Sequence, residues 1–239
     1  PVFLILRSDV LMLWLNVHAP FAAFRSFTTG SFRPTAPFIT PSAAYGLLLN
    51  LAGIEMREND GKSPMTLIAK RLPVAHIAIG AMEETEQHHL FQQLHNYPIG
   101  PSRAEHAPVC KGNKYNITPV RRAFLSNLRA CIGLRGNEAL EQQVREGLSG
   151  QGPARYGLPF LGDNNFLPDR IDPLSAALPA RWWLPVSESD PLGGPQADIA
   201  RLTITIDRQD ISRSQSRLFR LMEQATDQVP EAAWVEVKY

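Results

Sequence analysis

His95, His106, Lys111, Lys114 and Tyr115 fall within one stretch of this sequence. Together they offer what metal-free cleavage of RNA requires: a general base, a general acid, and a cation beside the scissile phosphate. The same residue types hold a phosphate without cutting it, and that simpler role is the one expected here. The surrounding charge supports an anionic partner. Residues 101–135 carry Arg103, Lys111, Lys114, Arg121, Arg122, Arg129 and Arg135 against the single acid Glu105, in a chain whose formal net charge is only +1. Such a concentration reads either as a focused anion site or as a solvated basic face.

Other chemistries lack their residues. There is no phosphate loop, no dinucleotide fingerprint, no nucleophile elbow and no H-E-x-x-H pair. His88 and His89 are adjacent, and neighbours in sequence point apart rather than toward a shared metal. The two cysteines, Cys110 and Cys131, make neither a disulfide framework nor a zinc site, and Cys110 reads as a small packing residue rather than a nucleophile. Neither metal nor cofactor is expected, and no catalytic residue is assigned.

The elements that must position the basic segment are legible in part. Val10–His18 reads as a buried strand ending at Pro20. Phe21–Pro41 is a Gly/Pro/Thr-rich loop holding Phe21, Phe24, Phe27, Phe32 and Phe38. Pro41 opens a buried helix over Ala43–Ala52, with Ser42 or Thr40 near its cap and Gly53 as its stop. His76–Met82 reads as a strand, Leu90–Asn96 fits helix or strand, and Phe124–Leu134 reads as a further strand. Glu138–Leu148 is an amphipathic helix, and Leu202–Asp207 alternates strictly as a strand. Ser212–Gln224 reads as a helix capped by Ser212 with Gln215 three residues on, and Trp234–Val237 as a last strand.

This order implies an α+β fold of the ferredoxin-like kind. Residues 1–239 are expected to form one domain, with 150–200 irregular and rich in Pro and Gly. With 239 residues and 44% apolar composition the chain can bury a sizeable core. The apolar run Val10–Val17 is too short to span a membrane. A reduced, cytoplasmic protein is expected.

Gly30–Ile54, GSFRPTAPFITPSAAYGLLLNLAGI, resembles the N-terminal signature of the Cas-five family of CRISPR-associated proteins, in the RAMP superfamily. In that family a first strand leads through a Pro/Gly loop into a T-P/R-S-x-x-x-G-L-L helix, matched here by Thr40, Pro41, Ser42, Gly46, Leu47 and Leu48. The preceding LWLNVHAPFAAFR is similar to the family's opening strand. Arg121–Leu134, RRAFLSNLRACIGL, resembles the strand that returns from an inserted hairpin, with Asn127 where an Asp is common. Leu158–Asn164, LPFLGDN, is similar to a P-x-Y-L-G-R element, with Asp163 in place of the Arg. The matches span roughly residues 11–168 and are nearest to the variant of a Myxococcus-type system; the chain after Pro168 resembles nothing nameable.

The resemblance implies a ferredoxin-like, RRM-related core with residues 97–122 inserted as a β-hairpin thumb. It implies a non-catalytic subunit of a type I Cascade-like complex that grips the 5′ handle of crRNA. Its partners would then be crRNA, the backbone subunit, the large subunit and, through the complex, target DNA, with no membrane. A metal-independent endoribonuclease that processes repeat RNA is the competing reading, since some relatives cut. The expected RNA-binding residues are Arg25 and Arg33 in the loop, Ser42 and Tyr45 at the start of the helix, and Lys111, Lys114, Tyr115, Arg121 and Arg122 in the thumb. Unpaired N–H groups at the helix start favour a phosphate, arginines fork onto it, and an aromatic gives an unstacked base a flat face. Phe32 and Phe38 are either further stacking faces or core anchors.

Overall fold

The computed structural model describes residues 12–25, 31–62, 66–97, 116–187 and 198–239; for 94–97 and 116–118 it describes the backbone. Alternating apolar residues generate most of its strands. In chain order these are β1 (Leu13–Ala22), β2 (Phe32–Arg33), β3 (Arg57–Glu58), β4 (Leu67–Ile68), β5 (Ala75–Ala81), β6 (Glu86–Tyr97) and β7 (Asn116–Arg135). Then follow β8 (Arg170–Leu174), β9 (Arg181–Pro185), β10 (Ile199–Thr205), β11 (Gln215–Leu221) and β12 (Val235–Val237). Among the described residues two α-helices interrupt them, α1 (Pro41–Leu51) and α2 (Glu138–Leu148).

The twenty-residue β7 is the spine of a ten-stranded sheet. One edge of β7 pairs with β1 over 125–134 and, in parallel, with β2 at Arg121 and Arg122. Its other edge pairs with β5 over 130–135 and with β6 over 116–126. The half of β7 near Arg135 therefore lies inside the sheet, and the half near Asn116 runs out with β6 as an antiparallel arm. The switch falls at Asn127, whose backbone is left-handed with φ 54°. The register on either side sets Pro20 of β1 opposite Asn127. Proline has no N–H to give the ladder, and asparagine is among the residues that best tolerate the left-handed region. Pro20 therefore does not end β1, which runs on to Ala22.

At the centre of the sheet both faces are covered, which explains the near-continuous apolar runs of β1, β5 and the inner half of β7. Leu13, Leu15 and Val17 of β1, Ile77 and Ile79 of β5 and Ile132 and Leu134 of β7 point toward the helices. Trp14, Ala78 and Cys131 point the other way, into a second cluster with Trp182. Gly133 lies between Trp14 and Trp234; a Cβ there would sit 2.4 Å from the first ring and 2.7 Å from the second.

Thr40 caps α1, its Oγ1 accepting from the Ala43 N–H at 3.2 Å, with Pro41 at the first turn. Gly53, at φ 73°, follows its end as expected. Asn137 caps α2 by accepting from the Leu140 N–H at 3.0 Å.

Two further expectations are corrected, and one segment left open is settled. Ser212–Gln224 is not a helix: Ile211–Arg213 makes a single 3-10 turn and Gln215–Leu221 is β11. That strand is hydrogen-bonded on both edges, to β10 and β9, and places Phe219 in the core. Sheet pairing here overrides a local preference for helix. The segment 150–200 is not wholly irregular, since it supplies β8 and β9. Leu90–Asn96, open between helix and strand, lies in β6.

Candidate nucleic-acid interface

The arm formed by β6 and β7 carries different chemistry on its two faces. On one, Phe91 pairs in register with Arg121, and Phe32 of β2 reaches the same Arg121 from the other side. Phe91 is 83% exposed, and Arg121 is exposed as well. Phe32 lies against the His89 ring, centroids 5.8 Å apart. Two aromatic rings, an imidazole and a guanidinium thus share one open surface, the mixture that unstacked nucleotides favour.

The opposite face of the arm is packed. Phe124 stacks on Phe166 with centroids 6.1 Å apart and meets Phe21 edge-on at 5.6 Å. Arg122 lies over the Phe166 ring at 5.2 Å and pairs with Asp163. Asp163 also shapes its own turn, accepting from the Asn165 N–H at 3.0 Å. Gly162 beside it is obligatory, because a Cβ would lie 2.1 Å from the Ala23 carbonyl oxygen. The residue expected as an arginine is therefore a carboxylate that holds Arg122 from within.

Along this packed face runs a groove of about 330 Å³, and Arg25, Arg33 and Arg122 all line it, with Gln92 and Asp163. Arg25 is held at the groove by a β-bridge to Thr35, and Arg33 by the parallel pairing with Arg122. Residues far apart in sequence are thus assembled at the base of the arm. Their surplus of positive charge over the single Asp163 suits a polyanion.

A second cavity, of about 200 Å³, opens beside the start of α1 and shares Arg25 and Gly162 with the groove. Ser42 lies on its wall. The Ser42 hydroxyl is buried and sits 3.0 Å from the Thr40 hydroxyl. Across the cavity, Arg57 lies 5.2 Å from the Tyr156 ring centroid and is held by Glu55 through Nε and Nη2 at 2.9 Å each. That pairing draws the Glu55 carboxyl below its ordinary range. Burial raises the Tyr156 hydroxyl above its ordinary value, so it remains a neutral donor.

Tyr45 is corrected. It is fully buried, its hydroxyl donates to the Pro73 carbonyl at 2.6 Å and its ring stacks on Tyr239. It belongs to the core because α1 turns that side toward the sheet. Phe38 is likewise a core anchor, stacked on Trp183, whereas Phe32 keeps surface to offer. Lys111, Lys114 and Tyr115 lie outside the described residues, as does His106.

His88 and His89 point to opposite faces of β6. His88 Nε2 sits 2.7 Å from the Ser126 hydroxyl and 3.6 Å from a Glu86 carboxylate oxygen. Both partners meet the same ring nitrogen. Among the described residues no group of three or more His, Cys, Asp or Glu is placed to hold a metal.

Asp163, Tyr156 and Phe91 were not foreseen as site residues. Only Asp163 left a signal, as a departure from the expected pattern; the others are defined by which strand or loop packs beside them.

The family described as CRISPR-associated protein (Cas_Cas5) has a model that matches residues 12–149. No curated protein sequence matches. Among solved structures, a chain of a "CRISPR RNA-guided surveillance complex" is similar at a TM-score of 0.54 and 15% identity, covering 90% of this chain and 91% of that one. A chain described as "Crystal structure of Cas protein" gives 0.46 and 16%, over 93% and 100%. At these identities the first shows a shared fold.

Proposed function

The chain belongs to the CRISPR-associated Cas5 family, and from that premise we propose that it is a non-catalytic, crRNA-binding subunit of a Cascade-like CRISPR effector complex. It grips the 5′ handle of the guide RNA and caps the backbone subunits, beside the large subunit. The similar fold of a chain from an RNA-guided surveillance complex supports the setting. In this reading the sheet holds a ferredoxin-like core and the β6–β7 arm is the thumb.

One observation carries the RNA-binding role: Arg25, Arg33 and Arg122 converge on a single groove at the base of the arm. The sequence separates Arg25 from Arg122 by most of the family-matched region, and nothing but the fold brings them together. Arginine forks match phosphate oxygens in pairs. The exposed Arg121, Phe91 and the Phe32–His89 pair on the other face give the strand a second surface at the same place. An RNA strand bent around the arm would meet cations on one side and flat rings on the other.

The reading is tested by purifying the assembled complex with Arg25→Ala, Arg33→Ala or Arg121→Ala and measuring the guide RNA retained. Each substitution should lower the RNA content while the chain stays folded. Unchanged RNA content in all three would overturn the groove as the binding surface. Incubating the purified chain with repeat RNA in EDTA gives the second outcome to watch: specific cleavage would replace the non-catalytic role by that of a metal-independent endoribonuclease.

A further inference from the structure

The cavity over α1 has three features that packing alone does not explain. Its floor is the helix stripe Ala43, Gly46 and Asn50, residues one turn apart on the same face. Glycine within a helix is less favourable than alanine. Here nothing in the packing asks for it, because a Cβ on Gly46 would meet only the Met56 sulfur, at 4.0 Å. The missing side chain leaves room directly above the helix backbone, as close approach of a ligand requires.

Asn50 is the second feature. It is only 4% exposed, and its Nδ2 donates to the Gly157 carbonyl at 3.1 Å. Its Oδ1 is buried without a hydrogen-bond partner, a state that native proteins rarely leave unsatisfied. One amide N–H is taken by Gly157, and the Tyr156 hydroxyl takes a further side-chain hydrogen bond from Asn50, so the acceptor is the function still unmet. The third feature is the opposite wall. The Tyr156 ring carries the Arg57 guanidinium, which Glu55 holds in place, and the half-exposed Phe160 stands beside them.

We propose that this cavity receives one unstacked nucleobase of the bound RNA, lodged over Gly46, flanked by Tyr156 and Phe160, and giving a base N–H to Asn50 Oδ1. The inference rests on the RNA-binding reading above and adds a recognition subsite to it. At about 200 Å³ the cavity is smaller than the roughly 300–1,000 Å³ of sites for drug-sized ligands and suits a single ring system. Aromatic and guanidinium faces are the usual platforms for a splayed base. Arg25 lines both cavity and groove, so a strand whose phosphates follow the groove can turn one base into the cavity without leaving its cations. Because Asn50 offers only an acceptor, the base must present a donor, an exocyclic amine or a ring N–H.

The test uses the full chain purified with the subunits that accompany it, loaded with synthetic guide RNAs carrying 2-aminopurine at one 5′ position at a time. One position should differ in fluorescence from its neighbours, and the difference should vanish with Gly46→Leu, which fills the cavity, or with Phe160→Ala, which removes a wall at a half-exposed site that the fold does not depend on. RNA retention is measured on the same samples, and fluorescence is compared per RNA bound. If RNA is retained but no position stands out, or the position that stands out is unchanged by both variants, the base pocket is wrong while the binding role stands. If the wild-type assembly retains no RNA, the binding role fails and takes the pocket with it.

Discussion

Arg122 shows how one side chain serves both fold and site. Its side chain is 13% exposed and its partner Asp163 16% exposed, with Phe166 stacked against the guanidinium. Removing one member of such a pair strands the other in a poorly solvated place. Arg122→Ala should therefore cost about 1–3 kcal/mol in urea unfolding, while the exposed Arg121→Ala stays within about 0.5 kcal/mol. A combined Arg122→Leu/Asp163→Leu variant should recover much of the loss; equal costs for Arg121→Ala and Arg122→Ala would refute the pairing. Glu141 on α2 makes a second residue-scale case. It is fully buried with neither carboxylate oxygen hydrogen-bonded, and burial, only partly opposed by Arg145, pushes its pKa up to about 7. In the unfolded chain the same group loses its proton near 4.5. Between those values the folded state binds the extra proton, so stability falls as pH rises from about 4.5 to 7 and stays low above it. Glu141→Gln should abolish that fall and raise stability at pH 8 by on the order of 2 kcal/mol; denaturation midpoints at pH 5 and pH 8 decide it.

At the scale of elements, β7 and α1 do most of the positioning. β7 must be straight enough to join the sheet and free enough to leave it, and Gly133 and Asn127 mark its two regimes. Gly133→Ala should destabilise by about 1–3 kcal/mol, the usual cost of forcing atoms into a packed core, and perturb tryptophan fluorescence, because the new methyl meets Trp14 and Trp234. A melting temperature unchanged by that substitution would show the tryptophan packing to be looser than described. The helices were legible because capping and period are local: Thr40, Pro41 and Gly53 bracket α1, and Asn137 opens α2. β11 was not, because its alternation is weak and its strand state comes from two neighbours distant in sequence. The same locality governs the site. Arg25, Arg33, Arg121 and Arg122 were readable as cations of a loop and a hairpin. The groove that joins three of them, the loss of Tyr45 to the core, and the meeting of Tyr156 with Asn50 in one cavity depend on how the 156–166 loop lies against β1 and α1, which no local pattern encodes.

For the molecule as a whole, 24 Lys and Arg balance 23 Asp and Glu, so no strong general field draws RNA to it. Many surface cations are already paired, as Arg170 is with Asp172 and Arg213 with Asp210. Affinity for RNA must then come from the few cations that meet phosphates directly. Each such contact releases condensed counterions, and for a single strand the logarithm of the binding constant falls with the logarithm of salt concentration by about 0.7 per neutralised phosphate. Arg25→Ala, Arg33→Ala and Arg121→Ala should each weaken RNA binding and flatten that slope by roughly one contact's share. Arg170→Ala, on the edge strand β8 and outside the groove, already paired with Asp172, should change neither. Binding titrations across a range of salt concentrations separate this from a diffuse electrostatic attraction, in which removing Arg170 would flatten the slope as much as removing Arg25. Equal slopes for those two variants would mean that the groove at the base of the arm is not where the strand lies.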